Sequence, residues 1–258
     1  MRSLTAARDL QRRRARERTG QFLAEGVRCV EELMASPLRL RSVLVSPGIN
    51  ETQRGARLLD LIRNASAERH LQIDEVTDSE LASVSDTETP QGILAIADQP
   101  ERSFGNIDTN IDTRGLVLLL DGVQDPGNVG TILRTAQAFG VSATVALTGT
   151  ADLWNPKVVR SAMGALFNHN AFHASTEDAL KFLNGIGMPI WATSATGGRV
   201  AKRSGDSGLA IVVGNEAAGV SPELVAAAAR TVAIPIVGVE SLNVAVATGI
   251  LLYAVTAA

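Results

Sequence analysis

The second half of the chain alternates short apolar runs with amphipathic segments, and this alternation constrains the fold more than any other feature. The runs are Leu116–Leu120, Ala143–Leu147, Pro189–Thr193, Leu209–Val213 and Val232–Ile236. Helical periodicity lies between them, at Val129–Phe139, Pro156–Leu166, Thr176–Leu183 and Pro222–Ala229, with a last stretch from Leu242 to Val255. Strands alternating with helices of this length predict a parallel α/β sheet. Strands that are apolar at nearly every position are expected to be covered on both faces. The first half repeats the theme more weakly. Strand-like runs occur at Leu40–Val45, Leu71–Val76 and Gly92–Ala97, and helical stretches at Val27–Met34, Thr52–Ile62 and Ser79–Val84. Between the halves, residues 99–114 are polar, hold Pro100 and Gly105 and show no apolar period. They read as a linker, so the predicted domains are 1–98 and 115–258.

Composition narrows the class. Of 258 residues, 45% are apolar and 20% charged, which describes a globular chain rather than a disordered one. Cys29 is the single cysteine and there are three histidines, so neither an internal disulfide nor a Cys/His zinc set is expected. No apolar run reaches the roughly 18 residues that span a bilayer. The first twenty residues lack the apolar stretch of a signal peptide. The expected setting is the cytoplasm, with no membrane and no metal.

The net charge of −3 argues at first against a nucleic-acid partner. Its distribution reverses that argument. Residues 1–50 carry ten Lys/Arg against five Asp/Glu, whereas residues 51–100 carry four against ten. The basic excess includes Arg12, Arg13, Arg14, Arg16 and Arg18, which are candidate RNA-phosphate contacts. Aromatics make up only 3%, so phosphate and shape contacts are expected to outweigh base stacking.

Three segments of the second half carry chemistry. In the first, the run Leu116–Leu120 enters the turn Asp121-Gly-Val-Gln-Asp-Pro-Gly-Asn128 and then a helix holding Arg134. Ligands in open α/β sheets sit at the carboxyl ends of strands, which is where this turn falls. Asn128 is either the helix N-cap or a site residue, and Arg134 lies where its guanidinium can return to the mouth of the site. A dinucleotide fingerprint is absent, because the turn offers only Gly127-x-x-Gly130 and no acid follows the next strand. A phosphate-binding Gly-Lys-Ser/Thr is absent too. In the second segment, Ile211–Val213 runs into Gly214-Asn-Glu216-Ala-Ala-Gly219-Val-Ser-Pro222. Ser221-Pro222 predicts a helix start; Glu216 is a carboxylate in a glycine turn. In the third, Val232–Ile236 leads to Ser241-Leu242-Asn243 and an almost wholly apolar helix. That helix is expected to be buried on most sides, with Ser241 as its N-cap. Asn243 then falls inside it and needs a partner.

These three segments resemble, in order and spacing, the three motifs of the SpoU-type RNA 2′-O-methyltransferases of the SPOUT superfamily. The matching residues are Asp125-Pro-Gly-Asn-x-Gly with Arg134-Thr-Ala and Phe139-Gly140, then Gly214-x-Glu216-x-x-Gly219, then Ile234-Pro with Ser241-Leu-Asn-Val. Val159-Arg-Ser-Ala-Met-Gly-Ala165 resembles the family's segment after the second strand. In the first half, Arg12–Arg18, Phe22-Leu-Ala-Glu-Gly26 and Val30-Glu-Glu-Leu33 resemble the start of an L30e-like RNA-binding domain, and Asp86–Ala95 its end.

The resemblance implies an L30e-like α/β domain over 1–98 and a SPOUT α/β domain over 115–258 with a C-terminal trefoil knot. It implies S-adenosylmethionine held by groups around Thr193, Gly214, Gly219, Ile234 and Leu242, and a homodimer with the active site near the interface. The implied reaction is methyl transfer to a ribose 2′-hydroxyl. Arg134, Asn128, Glu216, Ser241 and Asn243 are the implied catalytic set, with Glu216 fixing another group of the frame. A guanidinium loses its proton only above about pH 12, so orienting the hydroxyl suits Arg134 better than accepting its proton. The fused first domain favours 23S ribosomal RNA as substrate. Transfer-RNA methylation and a non-catalytic RNA-binding or ribosome-assembly role are the alternatives.

Overall fold

The computed structural model describes residues 2–69, 71–107, 115–200, 202 and 208–256, the side chains of 67–69 excepted. In chain order the first elements are α1 (Arg2–Leu10), α2 (Arg13–Thr19), β1 (Gln21–Glu25), α3 (Val27–Ala35), β2 (Leu40–Val45), α4 (Gln53–Arg69), β3 (Gln72–Glu75), α5 (Asp78–Ala82) and β4 (Ile93–Asp98). The chain continues through β5 (Leu116–Asp121), α6 (Pro126–Ala138), β6 (Ala143–Ala146), α7 (Pro156–Ser161), α8 (Ala165–Asn168), β7 (Ala171–His173) and α9 (Thr176–Gly185). It ends with β8 (Ile190–Arg199), β9 (Leu209–Gly214), α10 (Pro222–Ala227), β10 (Arg230–Ala233) and α11 (Val244–Thr256).

Two compact units emerge. The first comprises 1–101 together with 154–168, and the second 102–153 together with 169–258. Segment 154–168, which follows the second strand of the later half, thus packs with the earlier half. There Trp154 and Phe167 close on Phe22, with ring centroids 4.4 and 5.7 Å away. Pro156–Leu166 is not one helix. It breaks between α7 and α8, where Met163 and Gly164 take φ of 51° and 87°.

The first unit's sheet has the order β1-β4-β2-β3 and is mixed, because β4 runs antiparallel to both its neighbours. Ala7 and Leu10 of α1 pack on Leu23, Leu44, Leu94 and Ile96 in its core. Neither α1, α2 nor β1 stands out in the apolar pattern, since these short elements complete an existing core rather than form one of their own.

The second unit's sheet has the order β10-β8-β9-β5-β6-β7, and every pairing is parallel. Its central strands β5 and β9 are buried almost throughout, as runs apolar on both faces require. From β5 the chain moves outward through β6 and β7, then lays down β8, β9 and β10 on the opposite side. Such a reversal leaves a crevice at the carboxyl ends of the strands. Of the segment read as a linker, residues 108–114 lie outside the described residues. Residues 104–107 pack into the second unit, with Phe104 against Phe172 and Phe182 at 5.0 and 4.7 Å and Ile107 in its core. Among the described residues no helix is long and apolar enough to cross a membrane, and no cluster of His, Cys, Asp or Glu is placed to hold a metal.

Candidate active site

Three strand ends build the site. The first loop, after β5, leads into α6 with Pro126 at its first turn. Its cap is Asp125, whose carboxylate accepts from the Asn128 amide at 2.8 Å. Asn128 is therefore not the N-cap, and its side chain is released for other contacts. Thr150 holds the loop from beneath by accepting from the Gly122 amide at 3.1 Å and donating to the Leu120 carbonyl at 2.7 Å.

The second loop, after β9, folds tightly on itself. Asn215 and Gly219 exchange both backbone hydrogen bonds, and Asn215 Oδ1 accepts from the amides of Ala217 and Ala218. Gly219 has φ +71°, where an L side chain is strained. A Cβ on Gly214 would lie 2.2 Å from the Gly219 carbonyl carbon and 2.3 Å from the Val220 nitrogen. Both glycines are thus demanded by the loop's own closure. The two loops are joined by Asn215 Nδ2 donating to the Gly122 carbonyl at 2.8 Å and by the Ser221 amide donating to Asp121 at 2.7 Å. Ser221 occupies the cap position before Pro222 but makes no side-chain capping bond.

The third wall comes from β8 and β10. Their pairing runs Thr231 with Ala192 and then Val232 with Gly198, so residues 193–197 of β8 have no partner on β10. This bulge turns Thr193, Ser194 and Ala195 into the wall of a cavity of about 270 Å³. Val213, Gly214, Asn215, Glu216 and Gly219 form a second side. Ile234, Ile236, Glu240, Ser241 and Leu242 form a third, and α11 closes the cavity with Val244, Ala247 and Leu251. All five residues expected at the cofactor therefore meet around one space, with Glu216 and Ser241. Ser194, Asn215 and Glu240 were not anticipated. Of these only Asn215, a polar residue between strand and glycine turn, had a local signal.

The structure corrects the helix start. Helix α11 begins at Val244, not around Ser241. Asn243 is its cap, accepting from the amides of Ala245 and Val246 at 2.9 and 3.3 Å. Asn243 is exposed, so it is not the buried amide that a longer helix implied. Its Nδ2 donates to Asn128 Oδ1 at 2.9 Å, and Asn128 Nδ2 donates to Glu216 Oε1 at 2.9 Å. Asn243, Asn128 and Glu216, one from each loop, thus form a single directional chain within the polypeptide. Because Oδ1 of Asn128 accepts and its Nδ2 donates, both amide orientations are fixed.

Arg134 stands apart from this chain. It is exposed on α6, does not line the cavity, and has no side-chain partner among the described residues. The N-terminal arginines divide. Arg12, Arg13, Arg14 and Arg18 are exposed, and Arg13 pairs with Glu17 at 2.7 Å. Arg16 is only 2% exposed and donates to the Leu10 and Gln11 carbonyls at 2.7 and 2.9 Å. It ties α1 to α2.

The ionisable side chains among the described lining residues are Glu216 and Glu240, both acids. The remaining wall is mostly apolar or glycine. A carboxylate-rimmed apolar space suits a ligand with a cationic centre and an aromatic or aliphatic body. S-Adenosylmethionine, with its sulfonium, ammonium and adenosine, has that chemistry.

Residues 115–253 match the model of the SpoU rRNA Methylase family, and residues 3–95 match the MRM3-like substrate binding domain. The chain is 35% identical to the 23S rRNA (guanosine(2553)-2'-O)-methyltransferase RlmP of Bacillus subtilis, covering 95% of this chain and 92% of that protein. It is 29% identical to the 23S rRNA (uridine(2479)-2'-O)-methyltransferase of Streptomyces viridochromogenes, covering 93% and 84%. The solved structure of the SpoU methyltransferase AviRb from the same organism, in complex with the cofactor AdoMet, superposes with a TM-score of 0.84 at 26% identity, covering 97% of this chain and 95% of that one.

Proposed function

The chain belongs to the SpoU rRNA methylase family, and from that premise we propose that it methylates a ribose 2′-hydroxyl of 23S ribosomal RNA using S-adenosylmethionine. The observation that carries this reading is the Asn243–Asn128–Glu216 chain beside a carboxylate-rimmed cavity at three strand ends. When bound, S-adenosylmethionine supplies an activated methyl group on a cationic sulfur.

The residues of this chain do the rest. Gly214, Ile234 and Leu242 present backbone and apolar surface to the cofactor, with Thr193 and Gly219 at its margins. Glu216 and Glu240 provide the negative charge that complements its cations. The three-residue hydrogen-bond chain fixes donors and acceptors where a ribose hydroxyl must be aligned, and alignment of this kind contributes a large part of such rate enhancements. Ser241, exposed at the cavity rim, adds a hydroxyl to that frame. Arg134, exposed and without another partner among the described residues, orients the nucleotide through its fork of donors.

The reading extends to assembly and place. Val246, Ile250 and Tyr253 recur on one face of α11 and are 53%, 39% and 63% exposed. An apolar stripe of this kind marks a contact surface, and it supports a homodimer closed through α11. A C-terminal trefoil knot and a cytoplasmic location belong to the same proposal. Phosphate contacts are assigned to Arg12, Arg13, Arg14 and Arg18, with Arg16 reserved for the fold.

The test is transfer of the labelled methyl from S-adenosylmethionine to transcripts of 23S rRNA and of transfer RNA. Incorporation into 23S rRNA as 2′-O-methylnucleotide is expected. Incorporation into transfer RNA alone, or cofactor binding with no incorporation, contradicts the proposal.

A further inference from the structure

The first unit holds a second cavity, also about 270 Å³, that the methyl-transfer reading does not use. Three stretches of chain meet there: 25–29 after β1, 87–91 before β4, and 160–163 at the break between α7 and α8. The last two belong to the segments Asp86–Ala95 and Val159–Ala165 that stood out in the sequence without a role in the reaction.

The cavity's lining offers donors and has its main acceptor already occupied. Glu25, 6% exposed, accepts from the Asp86 amide at 2.8 Å and from the Thr87 hydroxyl. Gln91 uses Oε1 to accept from the Val27 amide at 2.9 Å, which leaves its NH₂ without a partner among the described residues. The Thr89 hydroxyl and the Arg28 guanidinium are likewise unpartnered among them, and both residues are exposed at the mouth. Arg160 gives Nη1 to Asp86 Oδ2 at 2.6 Å and has further donors to offer. Arg28, Arg160, Thr89 and Gln91 thus line a space, otherwise largely apolar, whose one lining carboxylate, Glu25, is already bonded. Such a donor surplus selects an anion with several acceptor oxygens.

Two further observations fit a binding role. Met163 is the one non-glycine among the described residues with positive φ, at 51°. Strain of about 1 kcal/mol or more is typical of such a residue, and here it turns the chain so that both Arg160 and Met163 reach the cavity wall. Burial pushes the Cys29 thiol up to about 12, so the sulfur lining the cavity is neutral and serves as wall, not as nucleophile.

We propose that this cavity binds a phosphate of the RNA substrate through Arg28, Thr89, Gln91 and Arg160, in addition to the contacts made by the exposed arginines of α2. The inference rests on the RNA reading above. It is tested on the full chain with the double variant Arg28→Ala/Thr89→Val, both positions being exposed and outside the cofactor cavity. Filter binding of a 23S rRNA transcript across salt concentrations is expected to show affinity reduced about tenfold. The salt slope should be shallower by about 0.7–0.9 for the lost phosphate. S-Adenosylmethionine affinity and the thermal midpoint should be unchanged. Titration of the wild type with inorganic phosphate should shift the Gln91 side-chain amide resonances, and the double variant should lose that response. An unchanged RNA affinity and slope overturn the inference, even where inorganic phosphate binds, since the cavity then serves a small phosphate. Should the wild type bind no RNA at all, the functional reading fails, and the RNA-phosphate assignment of this cavity falls with it.

Discussion

The two units hold cavities of equal volume whose ionisable linings differ in sign. The cavity of the second unit is rimmed by Glu216 and Glu240, with no cationic side chain among its described lining residues. The cavity of the first unit is lined by Arg28 and Arg160, and its carboxylate, Glu25, is already bonded. The architecture beneath them differs as well. The second cavity stands at the ends of a wholly parallel sheet, where glycine loops fold onto one another and few side chains are needed. The first is held by long side chains reaching across loops of a mixed sheet. The contrast fits the division of labour proposed above, in which one unit takes a cationic cofactor and the other a phosphate of the substrate.

Substitutions can break this contrast or sharpen it. The largest effect is expected at Arg134. Arg134→Ala should lower turnover by about a hundredfold or more while leaving S-adenosylmethionine affinity intact by calorimetry. Turnover within tenfold of wild type would remove Arg134 from the site. Gly214→Ala comes next. Backbone stands on the far side of the missing Cβ and cannot give way, so about 3 kcal/mol of stability is expected to go. Cofactor affinity should fall with it; a thermal midpoint and affinity like the wild type's would show that the loop tolerates a Cβ.

Asn243→Asp separates two functions of one residue. Aspartate keeps the capping acceptor, so stability should stay within about 0.5 kcal/mol. It cannot donate to Asn128, so turnover should drop about tenfold. Asn128→Ala should reduce turnover at least as much, because it severs the chain on both sides. Wild-type turnover in both variants would show the hydrogen-bond chain to be incidental. The smallest effects on turnover are expected among the N-terminal arginines. Replacing Arg12, Arg13, Arg14 and Arg18 by glutamine should flatten the salt dependence of RNA binding by about three units if all four touch phosphate. The melting temperature should not move. Arg16→Gln should do the reverse, costing about 2 kcal/mol of stability with little change in salt slope.

Much of the second unit could be read from its residues. Apolar runs such as Leu116–Leu120 and Leu209–Val213 carry their strand assignment locally, and a strand buried on both faces leaves no alternative register for polar groups. The glycine turns at the strand ends were visible, and Glu216 stood out in one of them as a carboxylate; Asn243 was singled out for a buried helical position that it does not occupy, since it is the exposed cap of α11. What was missed depends on contacts distant in sequence. The β8 bulge that brings Ser194 into the wall arises from register against β10, which no window along β8 contains. Asn128 and Ser241 were read as candidate helix caps, positions that Asp125 and Asn243 hold instead. The shorter α11 and the Asp125 cap follow from where the loops meet. Arg16 looks like its neighbours in sequence and differs only because α1 lies beside it. The pairing of 154–168 with the first unit rests on Phe22, more than a hundred positions earlier, and on a positive φ at Met163 that its side chain does not announce.

The most direct test of the central claim is a map of 2′-O-methylation across 23S rRNA in the source organism with the coding gene deleted and then restored. One ribose should lose its methyl group on deletion, regain it with the wild-type chain, and remain unmethylated with Arg134→Ala. A 23S rRNA map unchanged by deletion, or full restoration by Arg134→Ala, would contradict the account.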